Sequence, residues 1–304
     1  MRKLLASPLF NVSLLSVFWA SDIFVSKLAF RAGAELFTYT IQTIFITLFF
    51  LTLYIFLKKF EKLKKTPPKI IIFLLLTNAL GSGLGGTLSN AGIQLTTAIN
   101  AGFLFQFDIA LTIIIAWFVL KEKLDLAKIL MLLFILFGTF LLITNGQLII
   151  PHLGDIFILL AGVCFATNTV LIRKILKDSA VDPDISSFLR PLAGLTILIT
   201  FLAFSPLYPS TIQQTISIHL FDLRQIVYVV IDALCIVTLF LFLNRALKIA
   251  SASYAALIAS VTPILVAILG ILFLHEGLTP IQLVGALFII LASFVTHFLK
   301  VDKH

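Results

Sequence analysis

Charge is scarce in this 304-residue chain. Asp, Glu, Lys and Arg make up 12% of it, against about 25% in ordinary soluble proteins, whose water-facing surfaces need charged groups. That excludes an ordinary soluble domain, and most of the surface must face something other than water. Cysteine is scarce too: Cys164 and Cys235 both sit inside apolar runs, which argues against a disulfide framework or a zinc site. The five His are scattered, no two at metal-ligand spacing, so neither a metal nor a cofactor is expected. The alternation that marks strands is missing, which excludes a membrane β-barrel with its spans of about 10 alternating residues. The loops are short and hold no cluster of His, Cys or carboxylates. An enzyme is therefore not expected, and a membrane enzyme acting on a lipid-borne substrate stands as the alternative reading.

What is present is apolar. Hydrophobic residues make up 60% of the chain, Phe alone numbers 30, and the mean hydropathy is +1.14. A helix crossing about 30 Å of hydrocarbon needs roughly 20 mostly apolar residues. Ten such runs can be placed, at 9–30, 36–57, 69–89, 97–119, 126–144, 154–173, 186–204, 225–245, 252–274 and 280–299. They predict an all-α integral membrane protein with ten transmembrane helices. The opening Met1-Arg2-Lys3 resembles a signal peptide, but no small-x-small site ends the apolar run, which continues to Phe30 and reads as an uncleaved first span.

The net charge is +8, and its placement carries the information. Of the 22 Lys and Arg, 18 fall at one set of span ends: Arg2 and Lys3, Lys58 to Lys69, Lys121 to Lys128, Arg173 to Lys177, Arg245 and Lys248, Lys300 and Lys303. Lys27, Arg31, Arg190 and Arg224 are the others. Positive loops stay in the cytoplasm, so both termini are expected on that side of the plasma membrane, and nucleic acid is not an expected partner.

The chain repeats itself. A shift of 154 places Asn78 on Asp232, Asn90 on Asn244, and Leu120-Lys121-Glu122-Lys123-Leu124 on Leu274-His275-Glu276-Gly277-Leu278. A shift of 146 places Trp19-Ala20-Ser21-Asp22 on Phe165-Ala166-Thr167-Asn168 and Lys27 on Arg173. Each copy, 1–146 and 147–304, holds five spans. Five is odd, so the second copy enters the membrane from the opposite face, an inverted repeat of the kind that underlies many secondary transporters.

The segment from Trp19-Ala20 to Lys27, the stretch Ala250-Ser251-Ala252-Ser253-Tyr254 leading to Thr262-Pro263, and the Leu-x-Glu-x-Leu turns at Glu122 and Glu276 carry a family resemblance. Over nearly its whole length the chain resembles the ten-helix drug/metabolite transporters built from two EamA domains. The resemblance implies transport of a small organic metabolite or drug across the plasma membrane by alternating access, with the site between the halves near the midplane. It is nearly silent about which solute. Where the second copy has Thr262-Pro263, the usual family pattern, the first has Asp108-Ile109; where the family often carries Arg in the second span, the first copy has Gln42 and the second keeps Arg190.

Residues 81–86, Gly-Ser-Gly-Leu-Gly-Gly, spell a dinucleotide-binding fingerprint, with Asp108 standing 22 positions beyond Gly86. The context is wrong, because such a loop needs a strand before it, and here both flanks are apolar spans. The spacing reads instead as a small-residue face for close helix approach, with Gly81 and Gly85 four apart, or as a loosened helix beside a cavity.

Ionisable groups at mid-bilayer cost about 2.5 to 3.5 kcal/mol on insertion scales and face a cavity or a partner. Asp22, Asp108, Arg190 and Asp232 are the ones expected there; Asp232 pairing with Arg190 is the alternative to a role in transport. Lys27 and Arg173, near span ends, are expected to snorkel to the headgroups. Helical spacing puts Trp19, Asp22 and Ser26 on one face, and Asp108 with Thr112 on another, Asn100 two turns before. The candidate substrate-binding set is Trp19, Asp22, Gln42, Asn78, Asn100, Asp108, Asn168, Arg190, Asp232 and Tyr254. Asp22 or Asp108 is the candidate carrier of a coupling proton. The expected partners are a small-molecule substrate and the lipid bilayer, with protons and a second copy of the chain as further candidates, the copy seated on the apolar fifth and tenth spans.

Overall fold

A computed structural model describes residues 8–144, 152–204, 223–259 and 261–298. The side chains of 8–13, 127, 254, 256–258 and 293–298 lie outside that description, as do the terminal Arg2, Lys3, Lys300 and Lys303. Every described element is helical. In chain order they are α1 (Pro8–Arg31), α2 (Leu36–Lys58), the short α3 (Phe60–Lys64), α4 (Pro68–Asn78), a π-helical segment (Ala79–Gly85), α5 (Gly86–Leu95), α6 (Ala98–Leu104), α7 (Gln106–Leu120), α8 (Leu126–Thr144), α9 (Leu153–Asp178), α10 (Pro183–Ala203), α11 (Ile226–Ile249), α12 (Ala252–Ala259), α13 (Thr262–Leu274) and α14 (Pro280–Phe298).

Apart from α3, these elements fall on the ten apolar runs. Among the described residues, six helical stretches are long and apolar enough to cross a bilayer: 36–58, 68–95, 98–120, 153–178, 183–203 and 226–249. Shorter apolar helices lie at 128–144, 262–274 and 280–292. The protein is an all-α integral membrane protein. Helices α9 and α11 outrun their apolar stretches at their Lys- and Arg-bearing ends, where basic side chains cap carbonyls of neighbouring chain segments. Phe60–Lys64 is a polar turn of helix that an apolar-run criterion does not detect.

The two copies pack reciprocally. Helix α1 lies along α11 and against α12 and α13; in mirror image, α9 lies along α5 and the π segment and against α7. Helices α2 and α10 pack against each other, and α8 packs on α14. The hydrogen bonds repeat the same symmetry. Asn90 Nδ2 donates to Thr40 Oγ1 at 3.0 Å, and Asn244 Nδ2 donates to Ser187 Oγ at 2.9 Å.

The direction of the repeats follows from the two glutamate turns. Lys121 and His275 end α7 and α13 in the left-handed region, with φ of 57° and 51°, a conformation that closes a helix but strains a non-glycine residue. Each turn aims the next residue sideways. Glu122 accepts from the backbone N–H of Ala252 at 3.0 Å, and Glu276 from that of Ile99 at 3.0 Å. The end of the fourth span thus meets the start of the ninth and the reverse holds too, so the two run antiparallel, as inverted repeats require. Each carboxylate also satisfies the orphan amides and positive dipole of a helix start within the protein.

Lys27 and Arg173 do the same for carbonyls, and here the snorkelling expectation is corrected. Lys27 is buried, and its Nζ donates to the carbonyls of Ile93, Gln94 and Thr96 at the end of α5. Arg173 donates to those of Leu247 and Lys248 at the end of α11. The orphan carbonyls of a helix end are cheaper to cap than to leave bare, so the cations stay inside.

At the lysine-rich face, Asp184 accepts from Arg245 at 2.8 Å and from Tyr54 Oη at 2.8 Å, and Asp182 accepts from Lys59 and Lys62 at 2.7 and 2.6 Å. This cluster ties α2, α10 and α11 together. Burial pushes the Asp182 carboxyl up, but the bonds from Lys59 and Lys62 outweigh it and hold it below the usual carboxylate range.

Candidate functional site

The third span is where the local sequence shapes the interior. Three glycines in seven residues let the chain take a π turn, a form common at functional sites. Close approach is the physical reason for two of them. A Cβ on Gly81 would fall 2.5 Å from Asn168 Cγ, and one on Gly85 would fall 2.9 Å from Cys164 Cβ, so both residues sit flush on α9. The small-residue face and the loosened helix are therefore the same feature. Their neighbours Ser82 and Gly86 turn the other way and line a cavity.

That cavity, about 150 Å³, lies in the middle of the bundle and draws on both copies. The first copy supplies Trp19 and Asp22 from α1, Thr40, Thr43 and Thr47 from α2, Ser89 and Asn90 from α5, and Asp108 and Thr112 from α7. The second supplies Phe165, Asn168 and Thr169 from α9, Arg190 and Pro191 from α10, and Phe240 from α11. A break between α6 and α7 at Phe105 positions Asp108, whose backbone N–H returns to the Phe105 carbonyl at 3.0 Å. The ninth span breaks at the matching place between α12 and α13, with Pro263 at its restart. Each of these spans is thus divided into two helices, with or without proline.

Arg190 is 4% exposed. Its Nη2 donates to Asn168 Oδ1 at 2.7 Å, and its guanidinium lies 4.9 Å from the centre of the Phe240 ring. Asn168 is held in turn by its own amide, which donates to the Thr77 carbonyl at 2.9 Å and Asn78 Oδ1 at 3.2 Å. One donor, Arg190 Nε, is buried without a partner. Asp108 accepts from Thr112 Oγ1 at 3.1 Å. Among the described residues no ion pair within 4.0 Å joins Asp108 to Arg190, so both charges remain available to the cavity they share.

The candidates named from sequence separate into groups. Trp19, Asp22, Asp108, Asn168 and Arg190 line the cavity together. Asn78 stands behind it, bracing Asn168. Asp232 is also behind the wall; Tyr39 Oη donates to it at 2.7 Å and Ser26 Oγ at 3.4 Å, and the group facing it is the carboxyl of Asp22, not Arg190. Gln42 points away and accepts from Gln225 Nε2 at 3.0 Å. Asn100 is in the first turn of α6, where its N–H is capped by Thr97. Tyr254 lies on α12 with its side chain outside the described residues. Sequence reasoning missed the hydroxyl row Thr40, Thr43 and Thr47. Its spacing of three and four, on one face of an apolar span, was the available signal. Among the described residues, α8 and α14 contribute none to the cavity lining; their outer faces expose Leu133, Phe137 and Phe140, and Leu283, Leu287 and Leu291.

Comparison with known proteins places this geometry. The EamA-like transporter family matches residues 7–144 and 152–298. An uncharacterized transporter of Archaeoglobus fulgidus is 26% identical over 285 residues, covering 94% of this chain and 84% of that protein. A solved crystal structure shares the fold, with a TM-score of 0.64 and 16% identity over 95% of this chain and 96% of its own.

Proposed function

We infer that this chain, which belongs to the EamA-like transporter family, is a secondary transporter that moves a small organic metabolite or drug across the plasma membrane by alternating access. The observation that carries the reading is the central cavity, built from both inverted copies and lined by one cation, Arg190, and two acids, Asp22 and Asp108. Two halves of opposite orientation can exchange inward-open and outward-open shapes around a site lying between them. Arg190 is the group for an acceptor on the solute, since its Nε has no partner inside the protein. Asp108 and Asp22 serve the opposite polarity, and Trp19, Phe165 and Phe240 supply flat apolar contact for the solute body. Both termini lie in the cytoplasm in this reading, with the lysine-rich face inward.

The test is solute flux in sealed proteoliposomes with a panel of amino acids, purine derivatives and cationic drugs, with and without a pH gradient. The expected result is saturable flux of one class, reduced at least tenfold in Arg190→Gln. Absence of flux for every class from folded protein, or full flux in the variant, overturns the assignment.

A further inference from the structure

Two pairs of polar side chains join the copies, and they occupy mirror positions. On one side Asn168 meets Asn78, the amide of one donating to the oxygen of the other at 3.2 Å. On the other side the equivalent residues are Asp22 and Asp232, whose carboxyls face each other. An amide carries its own donor, so the first pair is complete as it stands. Two carboxylates carry none. A bond between Asp22 and Asp232 can form only when one of them holds a proton, because like charges in contact cannot both ionise.

The surroundings agree. Asp232 is 1% exposed, and Tyr39 and Ser26 both donate to its Oδ2. Its Oδ1 has no hydroxyl or amide donor. A proton shared with Asp22 is the one the arrangement lacks. Among the described residues no cation is bonded to the pair: Lys27 Nζ donates to carbonyls at the end of α5, and Arg190 Nη2 donates to Asn168. The other titratable groups facing the pair are Tyr39 from α2 and Cys235 on the helix of Asp232 itself. The ninth span, packed against α1, brings no Asp, Glu, Lys, Arg or His between residues 252 and 274. Asp108 lies across the cavity with Thr112 as its bonded partner.

We propose that Asp22 and Asp232 form a carboxyl pair that binds one exchangeable proton between the two repeats, with Asp22 as its doorway to the cavity. Asp22 lines the cavity and Asp232 does not, so the proton enters and leaves through Asp22. Deprotonation leaves two carboxylates in contact, and their repulsion is relieved when α1 and α11 part. Proton release is thereby tied to movement of one copy against the other, which deepens the transport reading above and rests on it only for its purpose.

The experiment is infrared difference spectroscopy of the full chain in lipid, with pH and exchange into deuterated water as the perturbations. The expected result is a carboxylic-acid C=O band in the wild type near neutral pH that shifts on deuteration and corresponds to one proton per chain. The band should persist in Asp108→Asn and vanish in both Asp22→Asn and Asp232→Asn. Asn at either position should be tolerated, since the mirror pair is made of Asn. Should one of them fail to fold, Asp22→Glu keeps the test open, because it must retain the band at a moved frequency. No acid band in the wild type, or a band that survives in either pair variant, overturns the proposal. The spectrum needs no transported solute, so a failed flux panel would refute the transport reading without touching this one.

Discussion

Adding one methyl group at Gly81 should separate the packing account of the glycine stretch from a merely flexible one. An alanine Cβ there would meet Asn168 Cγ at 2.5 Å, Cβ at 2.7 Å and Oδ1 at 2.8 Å, where carbon contacts normally relax to about 3.5 to 4.0 Å. Asn168 would have to retreat by roughly 1 Å to reach that contact distance. It is not free to, because its side chain is fixed by Thr77, Asn78 and Arg190. Overpacking of this kind costs about 1 to 3 kcal/mol. Losing the bond to the Arg190 guanidinium costs about 1.5 to 3 kcal/mol more, as for hydrogen bonds to charged groups. Replacing glycine in a helix returns up to about 1 kcal/mol, so a net loss of about 2 to 5 kcal/mol is expected from these ranges. The control is Gly86→Ala, one turn on, whose Cβ would meet nothing within 4 Å and should leave stability unchanged or slightly raised. Equilibrium unfolding in mixed micelles reads both. Equal stability of the two variants would refute the idea that Asn168 is pinned.

Lys27→Met should strand the carbonyls at the end of α5 and cost about 2 kcal/mol or more, at about 1 to 3 kcal/mol for each buried group left unmade; hydrogen exchange should quicken at the amides of residues 91–96. Arg173→Met should do the same at the end of α11, and unaltered exchange at both sites would contradict the capping account. The Asp182 cluster gives a signed pH dependence. The carboxyl's folded pKa lies below its unfolded value, near 3.9; its pairs with Lys59 and Lys62 therefore stabilise above that value and are lost as pH falls through the lower, folded one. Melting below about pH 4 should then fall more steeply in the wild type than in Asp182→Asn, and parallel curves would remove the pairs from the stability of that face.

The spans were legible in the sequence because a bilayer imposes length and hydrophobicity on a helix almost regardless of its neighbours. The repeat was legible for a similar reason: Lys27 over Arg173 and Glu122 over Glu276 recur because the same helix ends need the same caps in each copy. What those residues cap was not legible, because a cap reaches a helix end some 70 to 180 residues away in sequence. The polar interior was harder still. Spacing along one helix placed Trp19 with Asp22 and Asp108 with Thr112, since neighbours one turn apart share a face. It could not decide which faces of different helices meet. The sequence by itself therefore determined an inverted, ten-span membrane fold with a handful of charges inside. Only the tertiary structure decided that Asp232 meets Asp22 and not Arg190, and that Arg190 and Asp108 face one cavity, because both depend on how antiparallel copies pack across the bundle.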